Sequence, residues 1–197
     1  MKHLLILFSV ILLVFIVYFI VSNNIAKIKT IIAGKRGEKI AKAIIKAVLN
    51  EDDILLCNVV IKHDGRKCEC DDIVINKYGV FLIEVKNYKG HLSGGVEDNT
   101  WKKTSFGKNG IKRTVYVKNP FKQVNRNVDI LSKLLSSKGL GTLVKGYVIV
   151  LNNNQIVGNN LLKSSEDVDI AIHSTNNTKK DNYLSKDKQN GICKLLK

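Results

Sequence analysis

The sequence predicts an α/β domain, a mixed β-sheet flanked by helices, preceded by one N-terminal transmembrane helix. Three observations lead there. An uncharged apolar run opens the chain. Short β-rich segments alternate with turn residues through its first half, and an amphipathic helical stripe leads to a further apolar strand in its second.

The opening run, Leu4 to Ser22, is 19 residues without a charge. A helix of about 20 apolar residues spans a hydrocarbon core of roughly 30 Å. A cleaved signal peptide is the alternative, but "NNIA", ending at Ala26, makes a poor cleavage site. Only Lys2 precedes the run, whereas Lys27, Lys29, Lys35, Arg36, Lys39, Lys42 and Lys46 follow it. Basic flanks stay on the cytoplasmic side. The expectation is a single-pass membrane protein with its soluble domain in the cytoplasm, bacterial by its Lys, Asn and Ile bias. Residues 1–24 form the anchor, 25–33 a linker, 34–152 the main domain and 153–197 an extension completing the sheet.

About 170 residues then remain, enough for one domain with its own core. A single proline and few long polar runs argue against a disordered chain. The net charge of +15 favours a polyanion or an anionic membrane face, although 28 of the 32 basic residues are Lys, which compositional bias alone can produce. Cys57, Cys68, Cys70 and Cys193 include no CxxC pair, so buried reduced thiols are expected rather than a zinc site.

Ile40, Ile44, Ile45, Val48 and Leu49 share one helical face, which predicts a helix from near Gly37 to before "NEDD". "ILLCNVVIK" (54–62) reads as a strand, and Asp64–Gly65 as a turn. Strands follow at 68–75 and 80–86, joined by "NKYG". A polar meander through Trp101 and "FGKNG" leads to a strand at 111–117. Asn119 then suits an N-cap, Pro120 the first helical position and Gly139 the stop. Phe121, Val124, Val128, Leu131, Leu134 and Leu135 stripe that helix. Strands are expected at 146–151 and 168–174, and a short closing helix at "ICKLLK".

The hairpin "CDDIVINKYGVFLIEVKNYKG" carries charges that an apolar strand pair normally excludes. If "NKYG" closes tightly, Asn76 pairs with Gly79, Asp71 faces Glu84 and Glu69 faces Lys86. A bulge at Gly79 would bring Asp72 opposite Glu84 instead. Like charges directly opposite destabilise a strand pair, so two converging carboxylates need a positive partner. Lys86 is one candidate. A Mg²⁺ ion completed by waters is the other. The competing reading is an exposed face on which Glu69–Lys86 and Lys77 form weak ion pairs.

These residues also resemble a known family. "GKRGE", "ECDDIVINKYGVFLIEVKNYKGHLSG", Trp101 and "NPFKQ" are similar, in order, to the motifs of the NERD (nuclease-related) domain. That family is grouped with the PD-(D/E)xK nucleases, which share a restriction-endonuclease-like core. The resemblance covers roughly residues 34 to 152. It implies that Asp71 and Glu84 hold a Mg²⁺ or Mn²⁺ ion. Lys86 would orient water or steady the transition state, Glu38 on the first helix would add a metal or water ligand, and Gln123 would support the site. The chain departs from the pattern in having Cys70 between Glu69 and Asp71, and in having Asp72 after Asp71.

The function so implied is metal-dependent hydrolysis of phosphodiester bonds in DNA by a membrane-anchored nuclease. The alternative is a non-catalytic nucleic-acid-binding or protein-interaction module on the same fold. Lys89, Lys102, Lys103, Lys108, Lys112 and Arg113 are candidates for phosphate contacts, and Tyr88 and Trp101 for base stacking. Oligomeric state is not readable.

Overall fold

The computed structural model describes the backbone of residues 2–107, 109–151, 158, 160–175 and 180–197. The side chains of residues 2–7, 9, 23, 25–27, 29 and 30 lie outside the described set. Two compact units divide the chain, Met1–Arg36 and Gly37–Lys197.

Helix α1 runs over Lys2–Lys46, so the predicted linker at 25–33 and the predicted start near Gly37 are both corrected to one uninterrupted helix. Neither Gly34 nor Gly37 stops it: an isolated Gly costs only about 1 kcal/mol in a helix interior. Among the described residues no helix is long and apolar enough to cross a membrane. The side chains of Leu4 to Leu7 and Ser9, part of the predicted span, are outside the described set.

In the second unit a five-stranded sheet has the order β1-β2-β3-β7-β8. The strands are β1 (Ile54–His63), β2 (Arg66–Asn76), β3 (Gly79–Asn87), β7 (Val144–Leu151) and β8 (Leu161–Leu162). The first three are antiparallel neighbours, and β7 and β8 join parallel to β3. The sheet is therefore mixed, as predicted. Asp64 and Gly65 both take positive φ (47° and 68°), the requirement of a two-residue turn that matches strand twist. Between β3 and β7 the chain builds a separate sheet of β4 (His91–Ser93), β5 (Thr100–Phe106) and β6 (Lys112–Lys118). Lys108 lies outside the described residues.

Helix α2 (Pro120–Ser137) starts where predicted: the Asn119 side chain accepts from the Phe121 N–H, with Pro120 in the first turn. Its apolar stripe of Phe121, Val124, Ile130, Leu131 and Leu135 packs with Ile73, Ile75, Leu82 and Val148 on one face of the sheet. Gly146 permits this close approach, because a Cβ there would sit 2.8 Å from Val124. On the other face Ala41 and Ile45 of α1 join Val74, Phe81, Ile83 and Ile149.

The strand predicted at 168–174 is instead helix α3 (Ser165–His173). Ser164 and Asp167 form a capping box, and Val168, Ala171 and Ile172 are buried at helical spacing. Alternating apolar residues suggested a strand, but Ile170, the odd one out, is exposed. Helix α4 (Lys186–Leu196) closes the chain, burying Ile192 and Cys193 in the cluster beneath α2. All four cysteines are free.

Candidate active site

The site forms where β2 and β3 part. Their ladder runs from Asn76↔Gly79 to Asp72↔Ile83 and stops. This is the tight register, so Asp71 comes level with Glu84, while Asp72 turns to the opposite face with Ile83. Between β1 and β2 the pairing also skips one step, at Asn58 and Asp71, with Asn58 at φ 54°. Side-chain alternation slips there: Cys70 and Ile73 both join the cluster beneath α2. Asp71 is thus outside both ladders, and its Oδ2 accepts the Val85 N–H at 2.7 Å.

Glu84 points to the α2 face, 2% exposed. Lys86 Nζ, two residues on and on the same face, lies 2.5 Å from Glu84 Oε1. The Gln123 side chain, in the first turns of α2, hydrogen-bonds the same carboxylate. Burial, with the charge of Asp71 added, pushes the Glu84 carboxyl up to about 6, against the opposing pull of Lys86. Asp71 is raised as well, by burial first, while the Val85 N–H and Lys86 hold it down. For Lys86, burial works against the charged form, and Glu84 outweighs it, so the ammonium is favoured.

Asp72 is equally buried but belongs to the α1 face, with Cys57 and Lys42 beside it. Burial raises its carboxyl to about 6, and the charges of Asp71 and Glu38 add to that rise. Glu38 accordingly groups with Asp72. Gly37 holds this turn of α1 close to the end of β3: a Cβ there would lie 2.5 Å from the Asn87 Cβ.

Two predicted roles change. Glu69 does not face Lys86. It pairs with Val60 in the ladder and holds Lys67 at 3.0 Å, largely exposed, because the two strands have already diverged at that level. Trp101 is fully buried, donates from Nε1 to the Gly95 carbonyl at 2.9 Å and meets Phe121 edge-on, so no base can reach its ring. One neighbour was seen only as a stacking candidate. Tyr88 continues the alternation Glu84, Lys86, Tyr88, and both charges act on its phenol, which burial raises. Lys103 Nζ sits 5.6 Å over its ring.

Residues 33–151 match the nuclease-related domain family. The chain belongs to the NERD family. A relative among curated proteins, an uncharacterized protein of Bacillus anthracis, is 29% identical over 106 residues, 53% of this chain and 48% of the relative. The chain thus spans about half the length of that protein. No solved structure matches it. The NERD match takes in every predicted site residue: Glu38, Asp71, Glu84, Lys86 and Gln123.

Those residues fit a hard divalent cation. Such ions take oxygen ligands and keep several waters, so one or two carboxylates suffice. Asp71 and Glu84 supply the carboxylates, and burial favours compensation of their charge. Among the described residues, no group of three or more His, Cys, Asp or Glu side chains gathers at one point. The donor set is therefore spare and suits Mg²⁺ or Mn²⁺ better than zinc.

Proposed function

We propose that this NERD protein is a membrane-anchored, divalent-metal-dependent nuclease hydrolysing phosphodiester bonds of DNA, with its soluble domain in the cytoplasm. The observation that carries the reading is the convergence of Asp71, Glu84 and Lys86, with Gln123 bonded to Glu84, at the parting of two strands.

Asp71 and Glu84 would hold Mg²⁺ or Mn²⁺. A divalent cation so held neutralises charge on the phosphoryl group and eases deprotonation of an attacking water. The protein's own part is positional. The Val85 N–H fixes the Asp71 carboxylate, and Gln123 fixes Glu84 against α2. Lys86 Nζ is kept charged by Glu84 and can stabilise the negative charge that develops as the phosphorus becomes five-coordinate. Glu38 and Asp72 lie one layer away and would tune the charge of the site.

The anchor reading draws on the uncharged run Leu4 to Ser22 and on apolar side chains that stay exposed at every position from Val10 to Val21. A helix apolar on all sides calls for a nonpolar environment.

The test is DNA cleavage by the full chain in detergent with Mn²⁺ or Mg²⁺. Glu84→Ala and Lys86→Ala should each lower the rate on the order of 10²-fold or more, with circular dichroism unchanged. Equal cleavage by the variants would show a contaminant at work. Binding without hydrolysis, indifferent to Glu84→Gln, would instead support the non-catalytic module. Extraction from membranes by alkaline carbonate would overturn the anchor.

A further inference from the structure

A cavity of about 640 Å³ adjoins the site and shares Gln123 with it. Its walls come from the start of β2, the first turns of α2 and the end of β6. Four cations line it, Lys67, Lys118, Lys122 and Arg126, against one carboxylate, Glu69. Glu69 is engaged by Lys67, and Lys122 reaches Glu97 at 2.7 Å on the exposed side. Lys118 and Arg126 have no carboxylate partner among the described residues.

The arrangement disfavours helix stability. No acidic residue stands in the first turn of α2, and Lys122 there opposes the positive pole of the helix. Lys122 and Arg126 are also four apart, so their like charges repel along one face. Farther along the same helix the pattern is ordinary: Asp129 takes Lys133 at 2.9 Å and Arg66 at 2.8 Å. Only the stretch that lines the cavity is left uncompensated. An anion lying in the groove would relieve both the helix pole and the paired cations. Because Gln123 links the groove to Glu84, that anion would be continuous with whatever reacts there.

We infer that this groove seats the backbone phosphates of the substrate strand on one side of the scissile bond. The inference rests on the nuclease reading and assigns it a path: Lys122 and Arg126 hold phosphates, with Lys67 and Lys118 on the facing wall. Base edges are not read, since the contacts are to phosphate alone.

The experiment measures binding of a fluorescent single-stranded DNA to the full chain carrying Glu84→Gln, so that the probe stays intact. Kd is followed from 50 to 200 mM salt. Each phosphate contact contributes about 0.7 to the slope of log affinity against log salt on a single strand. Adding Lys122→Gln and Arg126→Gln should flatten that slope by about 1.4, which makes the loss of affinity across this range about sevenfold smaller. A control pair, Lys77→Gln and Lys163→Gln, removes the same charge away from the groove and should leave the slope unchanged. Both groove residues are exposed, and the groove pair should melt no lower than its parent, since it removes a repulsion.

An RNA strand of equal length should show the same flattening, and the tighter of the two parents identifies the sugar preferred. Equal flattening by groove and control pairs would reduce the effect to net charge and overturn the inference. No flattening, or no binding of either strand, would also overturn it. Outcomes for the two readings separate cleanly. Cleavage by the wild type with an unmoved slope defeats the groove alone, and groove-dependent binding by an inert wild type defeats the nuclease alone.

Discussion

Glu84 keeps a carboxylate at 2% exposure, and its carboxyl is raised to about 6 from an ordinary 4.5 by that burial. Asp72 rises likewise to about 6 from 3.8. A carboxyl raised on folding binds its proton more tightly in the native state than in the unfolded one. Its contribution therefore favours the native state at low pH and is lost as pH climbs through the interval between the two values. For Glu84 alone the change is on the order of 2 kcal/mol between about pH 4.5 and 6. Denaturant unfolding of metal-free protein at a series of pH values should show this decline, and Asp72→Asn should remove part of it. A stability unchanged by Asp72→Asn across that window would contradict the burial argument. Site chemistry at this scale was legible in part. The tight hairpin register, read from "NKYG", put Asp71 rather than Asp72 beside Glu84. The slip at Asn58 was not readable, because nothing in a single strand's alternation announces that its neighbour will skip a step.

Elements place these residues, and their own signals differ in strength. Helix α2 was evident from Asn119, Pro120 and an apolar stripe, since caps and period agree. The segment 168–174 misled, because "VDIAI" alternates while its capping box lies just upstream. Ser164→Ala should cost about 1 kcal/mol, seen as a lower midpoint in urea; no change would mean α3 is held by packing alone. Gly37 has a different task, letting α1 close on Asn87 near Lys86. Gly37→Val should displace Asn87, destabilise the protein by about 1–3 kcal/mol, and lower cleavage more than it lowers the melting temperature would imply. Full activity in that variant would show that the α1 turn does not position the site.

At the scale of the second unit, two apolar clusters lie on opposite faces of the five-stranded sheet and hold it between helices. Leu131, fully buried beneath α2, should cost roughly 2–5 kcal/mol when cut to Ala, measured by thermal unfolding. The fold also leaves two buried carboxylates together, Asp71 and Glu84, which a divalent ion would offset. Mn²⁺ at a hundred times its Kd should stabilise the chain by about 2.7 kcal/mol. Chelator should reverse this, and Glu84→Ala should abolish it. Stabilisation that survives Glu84→Ala would place the ion elsewhere.

Local chemistry carries its own instructions. Turn pairs, caps and apolar periods act between neighbours, so the hairpin, α2, the mixed sheet and the Glu84–Lys86 pair could be read from the chain itself. Tertiary packing decided which side of the sheet each acid faces, that Trp101 is sealed inside, and that Lys122 and Arg126 wall one groove with Lys67 and Lys118. Those outcomes depend on contacts between residues distant in the chain. Desolvation and charge pairing there are set by three-dimensional neighbours, which no linear spacing encodes.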